Sequence, residues 1–275
     1  MIMAATFVIP VFNQLHFTQG CIESLNRSGV PDSDILLVDN ASTDGTKEYL
    51  ASRSGLRVIS NPVNRGCSTA WNQGVEAAAP AAWTVVMNND VLVAPGFRDG
   101  LIAFAEQGGW DIVSPAMVEG EMDYDFTAFG AEFPGRMRSV WRAGIASGVC
   151  FMVHRRVFDR IGCFDPQLGQ AGYEDEDFFR RARGAGFRLA VTGRALLHHF
   201  GSVTQKSVKA GMGVANSARL GNRDYFRKKH RLNWLRRRFE RLKERFQTGF
   251  WRWKERRRFG LTLRLWRQAG QWRYL

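Results

Sequence analysis

Cysteine is scarce, and the four present, Cys21, Cys67, Cys150 and Cys163, form no C-x-x-C pair. Neither a zinc site nor a disulfide framework is indicated, and a reducing cytoplasm is the compartment that fits. The chain also lacks any run of about 18 consecutive apolar residues of the kind that crosses a bilayer. Its first residues, MIMAATFVIPVF, carry no basic leader and reach Pro10 too soon for a signal peptide. They read as a first buried strand, and any membrane association is expected to be peripheral. There is no internal repeat. With 275 residues, 45% of them hydrophobic and 24% charged, the chain can bury one sizeable core plus an appendage, which argues against disorder.

The net charge of +13 is unevenly placed. Residues 219–275 hold 20 Lys/Arg against 4 Asp/Glu, whereas residues 1–218 hold 19 against 22. Basicity is thus a property of the C-terminal segment, and the remainder is slightly acidic.

Short apolar runs alternate with amphipathic segments through the first half, the pattern of βα units feeding a mainly parallel sheet. Residues 6–10, 34–40, 56–60, 83–90 and 111–116 read as strands, and 14–27, 44–53, 67–79 and 96–106 as helices. Asp44 and Ser68 are candidate N-caps, and Pro95 sits near a first turn. Further on, residues 144–156 read as a strand running into a helix, 174–186 as an amphipathic helix and 187–191 as a short strand. A loop carrying His198 and His199 follows. A glycine-rich, poorly periodic stretch at 205–220 suggests a boundary. Residues 1–210 are expected to form the α/β domain, a Rossmann-like βαβ sandwich with a mixed sheet, and 211–275 a basic, Trp/Arg-rich helical extension.

Five local patterns carry chemistry. In VDNASTDGT (38–46) an acid ends a hydrophobic strand, so Asp39 and Asn40 face the carboxyl edge of the sheet, where such folds bind ligands. Capping of turn amides is the competing role for both. In NRGCSTAWNQG (64–74) small residues open a helix whose amino end suits a diphosphate. Asn64 and Asn72 lie a little over two turns apart, while Gly66 and Ala70 equally permit close helix–sheet packing. NND (88–90) places a carboxylate directly after a strand, a hard oxygen donor of the kind magnesium or manganese takes, although it is also good turn chemistry. YEDEDFFRRARGAG (173–186) crowds Glu174, Asp175, Glu176 and Asp177 at a helix amino end. Mutual repulsion there raises carboxyl pKa values, as a general base requires, unless Arg180, Arg181 and Arg183 answer the acids at helical spacing. The pair His198 and His199 suits either a metal or a packing role.

Together these patterns, over about residues 5–204, resemble the family 2 glycosyltransferases of the GT-A fold, particularly the bacterial polysaccharide and rhamnosyltransferase-like members. FVIPVFNQ is similar to the family's opening strand and loop, VDNASTDGT to its base-binding turn, and NRGCSTAWNQG to its NxGxxxAxNxG helix. NND stands at its D-x-D position, YEDEDFFRR at its E-D helix and HHFGS at its late histidine motif.

The resemblance implies an inverting transfer from a UDP-, dTDP- or GDP-linked sugar to a saccharide or lipid-linked acceptor in cell-surface polysaccharide synthesis, with Mn or Mg as cofactor. It implies that Pro10, Asn13, Asp39, Asn40, Asn64, Gly66, Asn72 and Asn89 line the donor site, and that Ser147 and Gly148 border the donor sugar or acceptor. Asp90 and His199 hold the metal, and Asp175, or in second place Glu174, is the base. Asn88 stands where the family often has a first aspartate, which shifts metal binding onto Asp90, His199 and the diphosphate. Two other functions stay open on the residues alone: a sugar nucleotidyltransferase, and a nucleic-acid-binding protein acting through the basic C-terminus, which leaves the first 200 residues unexplained.

In that C-terminus Leu232, Leu235, Phe239, Leu242, Phe246, Phe250 and Trp253 recur at steps of 3 and 4 with arginines between them, and five of the nine tryptophans fall in the segment. One continuous apolar face is expected, with Gly249 and Gly260 interrupting or bending the helix. Arginine beside tryptophan suits an anionic membrane surface, so the expectation is a cytoplasmic enzyme held peripherally at the inner face of the cell membrane. A homodimer, or packing on the catalytic domain, would use the same face.

Overall fold

Alternating buried residues along the first strand set the layers. In β1 (Ala5–Val11), Phe7 and Ile9 enter one core cluster and Val8 another on the opposite face of the sheet, as a two-residue period requires. The computed structural model describes residues 5–78, 81–168, 172–201 and 217–275, with side chains of the last segment described from 221. The expected boundary at 210/211, and most of the glycine-rich stretch around it, lies outside these residues.

The chain runs through α1 (Leu15–Arg27), β2 (Ile35–Asp39), α2 (Thr46–Ser52), β3 (Arg57–Ser60), α3 (Cys67–Ala77) and β4 (Trp83–Met87). There follow β5 (Val91–Val93), α4 (Phe97–Gly108), β6 (Ile112–Gly120), α5 (Phe126–Met137), β7 (Trp141–Ala143), β8 (Cys150–His154) and α6 (Arg155–Ile161). The rest is α7 (Glu174–Gly184), β9 (Leu189–His199), α8 (Ser217–Lys229), α9 (Trp234–Phe259), β10 (Arg264–Gln268) and β11 (Gln271–Tyr274). Strands β3, β2, β1 and β4 are parallel neighbours. Then β8 runs antiparallel between β4 and β6, making the sheet mixed. The open ends of β1, β2 and β4 therefore share one edge, which is where the connecting loops gather.

Helices cover both faces. Gly74 lets α3 approach β1, since a Cβ there would meet Val8 Cγ1 and lie 3.2 Å from its Cβ. The four helices expected in the first half are present at nearly the expected bounds. Ser68 is not a cap; Gly66, at φ 81°, precedes the helix and Ser68 is buried within its first turn. Asp44 does bond at helix starts, accepting from Leu15 N at 3.0 Å and from the Thr46 hydroxyl at 2.6 Å.

Several expectations are corrected. The strand expected over 83–90 ends at Met87. His198 and His199 are not in a loop, because the short strand at 187–191 continues as β9 to residue 199, paired with both β6 and β5. Its two histidines were unrecognisable as strand residues because what surrounds them is a nonlocal ladder. Gly249 does not break α9, which runs without interruption to Gly260, where a left-handed φ of 69° ends it. Nor is the C-terminal segment wholly helical: β10 pairs in parallel with the end of β6, and β11 folds back on β10. The Ala269–Gly270 turn, both residues at positive φ, makes that hairpin.

A buried ion pair fastens α9 to the sheet. Arg142 on β7 donates to both oxygens of Glu255 at 2.8 and 2.9 Å, and Glu255 also accepts from Leu263 N. Removing one partner strands the other charge in the interior. Glu255→Ala is expected to destabilise the fold by about 3–5 kcal/mol, read as a lowered midpoint in urea unfolding. A midpoint unchanged from wild type would show that α9 is not held this way.

Candidate functional site

Three loops are sewn together at the carboxyl edge of the sheet. Asn13, at φ 55°, donates its backbone N–H to the Ser42 hydroxyl at 2.8 Å, and its side-chain oxygen accepts from Thr43 N at 2.7 Å. Asp39, at the end of β2, is fully buried; its Oδ1 accepts from Ser42 N at 3.0 Å while Oδ2 has no hydrogen-bond partner among the described residues. An orphaned carboxylate oxygen at a ligand-binding edge is suited to an N–H or O–H donor of a nucleobase or ribose. Pro10 lies half-buried in β1 opposite Val38.

The amides are mostly engaged by the protein itself. Asn40 accepts from Asn61 at 2.8 Å and donates to Gly66 O at 3.3 Å, tying the ends of β2 and β3 to the start of α3. Asn64 accepts from Gly66 N at 2.9 Å. Asn72 uses both ends of its amide on the backbone of Phe164, at 2.8 and 2.9 Å. Its spacing from Asn64 therefore serves to anchor the loop before α7. The N-cap residue of α3, Gly66, supplies no side-chain cap, which leaves a helix end of the kind that suits an anion.

After β4, Asn89 is buried and donates to the Thr18 hydroxyl at 3.0 Å, and Asp90 is buried beside it. The ladders then bring in residues from far along the chain. Val91 lies opposite His199, and His199 opposite Glu119. His199 Nε2 is 3.5 Å from Asp90 Oδ1 and its Nδ1 is 3.6 Å from Glu119 Oε1. Burial alone would lower the imidazole pKa, but hydrogen bonding and charge from Asp90 and Glu119 override it and raise it to about 9. Glu119 was missed in the sequence, where an acid before a glycine at a strand end is unremarkable. His198 faces the other way, as strand alternation requires. Its Nδ1 is 2.9 Å from the Tyr124 hydroxyl, and burial depresses its pKa to about 4.

Asp90 supplies an oxygen donor, and His199 a nitrogen donor once a cation displaces the proton that Asp90 and Glu119 hold on it, a pair that would fit manganese or magnesium with diphosphate oxygens completing the shell. Among the described residues, no three His, Cys, Asp or Glu side chains form a metal site by themselves.

The four acids of α7 separate by environment. Asp177 is fully buried and paired with Arg181, Lys229 and His230, each at 2.8 Å. Those hydrogen bonds outweigh its burial and hold its pKa below the usual carboxylate range. Arg180 pairs with Glu240 on α9 and not with the acids beside it. Burial raises Asp175, whose Oδ1 accepts from Glu176 N at 2.8 Å. Burial, with the neighbouring Asp175 charge, raises Glu174 to about 8. Its Oε2 has no hydrogen-bond partner among the described residues. Glu174 is thus held toward its neutral form at pH 7, while Asp175 is shifted in the same direction by its burial. Burial and the charges of Glu174 and Asp175 also push up the Cys67 thiol, and Cys67 packs on the core cluster that includes Phe178 and Phe179 of α7.

Gly148 completes the arrangement. A Cβ on it would overlap Asp175 Oδ2 and come within 2.6 Å of Asp175 Cγ. Ser147 is fixed beside it by donating its N–H to the Ser114 hydroxyl at 2.9 Å.

Glu174 also sets a pH dependence. With a folded pKa near 8 and an unfolded value of about 4.3, its stabilising contribution is complete below pH 4.3 and is lost as pH rises through 8. Glu174→Gln is therefore expected to raise Tm more at pH 8 than at pH 5. An equal change at both would contradict the neutral-acid assignment.

Residues 6–162 match the model described as Glycosyl transferase family 2. Glycosyltransferase AglE of Haloferax volcanii is 25% identical over 222 residues, covering 75% of this chain and 71% of the relative. The N-acetylglucosaminyl-diphospho-decaprenol L-rhamnosyltransferase of Mycobacterium tuberculosis is 28% identical over 65% of this chain and 70% of its own. Among solved structures, the mannosyltransferase PcManGT from Pyrobaculum calidifontis, in complex with GDP-Man and Mn2+, is similar with a TM-score of 0.53 and 20% identity. That match covers 71% of this chain and 56% of the other, so this chain spans little more than half of it. The shared fold is the GT-A fold.

Proposed function

The chain belongs to glycosyl transferase family 2, and from that membership we propose that it transfers a sugar from a nucleoside-diphosphate donor to an acceptor hydroxyl with inversion at the anomeric carbon. The observation that carries this reading is the Asp175 carboxylate. It is half-buried, raised in pKa and seated on Gly148, and its charge acts on Cys67 at the amino end of α3.

Asp39, Asn13 and Pro10 hold the nucleoside, Asp39 Oδ2 receiving a donor hydrogen bond from base or ribose. The α3 amino end, with Gly66 allowing close approach, receives the diphosphate. Asp90 and His199 hold a divalent cation, which when bound supplies positive charge to the leaving diphosphate. Asn89 buttresses Asp90 through its bond to Thr18. Asp175 takes the proton of the acceptor hydroxyl as that oxygen attacks opposite the diphosphate, while Glu174, neutral, limits repulsion beside it. Ser147 and Gly148 border the reacting sugar.

The donor is UDP-, dTDP- or GDP-linked, and a lipid-linked saccharide is the acceptor class, supported by the diphospho-decaprenol named for the mycobacterial relative. Such an acceptor places the enzyme peripherally at the inner face of the cell membrane. A thermal-shift panel of nucleotide sugars with and without manganese identifies the donor. Product analysis then tests the reaction: release of a nucleoside diphosphate is expected, and pyrophosphate would replace this reading with nucleotidyl transfer.

Asp90→Ala is expected to abolish the manganese dependence of donor binding while the fold survives. Calorimetric titration of donor at several manganese concentrations measures this, and a mutant with wild-type metal dependence would remove Asp90 from the metal site.

A further inference from the structure

Helix α9 is 26 residues long, about 39 Å at 1.5 Å per residue, and one of its faces stands clear of the other described residues. Leu235, Phe239, Leu242, Phe246, Phe250 and Trp253 follow one another at steps of 4, 3, 4, 4 and 3, which keeps them on a single stripe. Each is more than half exposed, and Phe246 is 86% exposed. The described residues of the catalytic domain therefore do not cover this stripe. An apolar surface of this extent marks a partner.

The charges on the helix identify which partner. All three of its acids, Glu240, Glu244 and Glu255, lie on the opposite face at spacings of 4 and 11. Two of them are engaged inward, Glu240 with Arg180 at 2.7 Å and Glu255 with Arg142 at 2.8 Å. Cations border the stripe on both sides: Arg238, Arg245 and Arg252 recur every seven residues along one, and Arg236, Lys243 and Lys254 lie along the other. A second copy of the helix would set cation row against cation row. A polyanion such as nucleic acid would answer the cations and leave six large apolar side chains in water. An anionic bilayer surface satisfies both, with headgroup phosphates for the cations and acyl chains for the stripe. No helix among the described residues is long and apolar enough to cross a membrane.

We propose that α9 lies in the plane of an anionic membrane with this stripe inserted at the headgroup boundary, and that it carries the catalytic helix with it. The coupling runs through Asp177, two residues after Asp175, which binds Lys229 and His230 at the end of α8 as well as Arg181. Tyr173, which precedes Glu174, packs against Phe226, with ring centroids 5.3 Å apart. Arg180 bonds directly to α9 through Glu240. Docking the helix thus fixes the height of Asp175 above the lipid surface. This inference rests on the membrane-borne acceptor proposed above and adds the surface that meets the membrane.

The test uses the full chain in vesicle flotation, comparing vesicles containing about 30% phosphatidylglycerol with pure phosphatidylcholine. Binding to the anionic vesicles that weakens as salt rises is expected. The variant Leu235→Ser/Phe239→Ser/Phe246→Ser alters only exposed positions, and its partitioning is expected to fall about a hundredfold. Circular dichroism should stay unchanged. Failure of the wild-type chain to float with anionic vesicles at low salt, or equal flotation of the triple variant, overturns the proposal. So does a dimer that the triple variant dissociates in the absence of vesicle binding. Binding of UDP, dTDP and GDP is measured on the same samples. A failure of the glycosyl-transfer reading would then show as absent nucleotide binding with flotation intact.

Discussion

Asp175→Asn is expected to lower transfer to the acceptor by about 10²–10⁴-fold while donor affinity stays near wild type, the signature of a lost general base. The substitution preserves shape, and the amide oxygen can still accept from Glu176 N, so the local fold has no reason to change. What disappears is a basic group whose pKa burial has raised toward the working range. Glu174→Gln is expected to do far less to transfer, because the carboxyl it replaces is already neutral at pH 7. Initial rates with saturating donor, alongside donor titration, separate chemistry from binding. If Glu174→Gln proves the more damaging while both mutants bind donor, the base has been placed on the wrong carboxylate.

Gly148→Ala is expected to reduce turnover by about 10²-fold or more, from a single added methyl group. That methyl would occupy the position of Asp175 Oδ2 and crowd Cγ and Cβ, at 2.6 and 2.9 Å. The carboxylate must move by a distance comparable with an ångström, and misplacement on that scale costs about two orders of magnitude in a positioned reaction. Backbone strain is not the cause, since Gly148 is not among the glycines at positive φ. Donor binding at the Asp39 and Asp90 end of the site should be retained. A kcat close to wild type would show that Asp175 either is not the base or can relocate without loss.

The separate behaviour of the four acids of α7 illustrates how far local sequence reached. Their crowding at a helix start was legible, and so was the likelihood of raised pKa values. Which acid does what was not. Asp177 is removed from chemistry by Lys229 and His230, more than fifty residues away in sequence, and Arg180 is drawn off by Glu240. Helical spacing does pair Arg181 with Asp177, but by itself it would have given Arg180 to Glu176 as well. Asn72 is a similar case: its position on α3 is readable, but its amide is spent on Phe164, ninety-two residues later.

Local periodicity determined the βα alternation through the first 110 residues, the strand end at Asp39, the crowding of acids at the start of α7, and the amphipathic stripe of α9, because each depends on residues a few positions apart along one element. The tertiary structure alone decided the alignment of Asp90, His199 and Glu119, the seating of Asp175 on Gly148, and the addition of β10 and β11 to the sheet. It also decided that the stripe of α9 faces outward. These are matters of strand register and of which helix face meets the domain. Both are fixed by pairings between residues tens to more than a hundred positions apart, for which no period in the sequence exists.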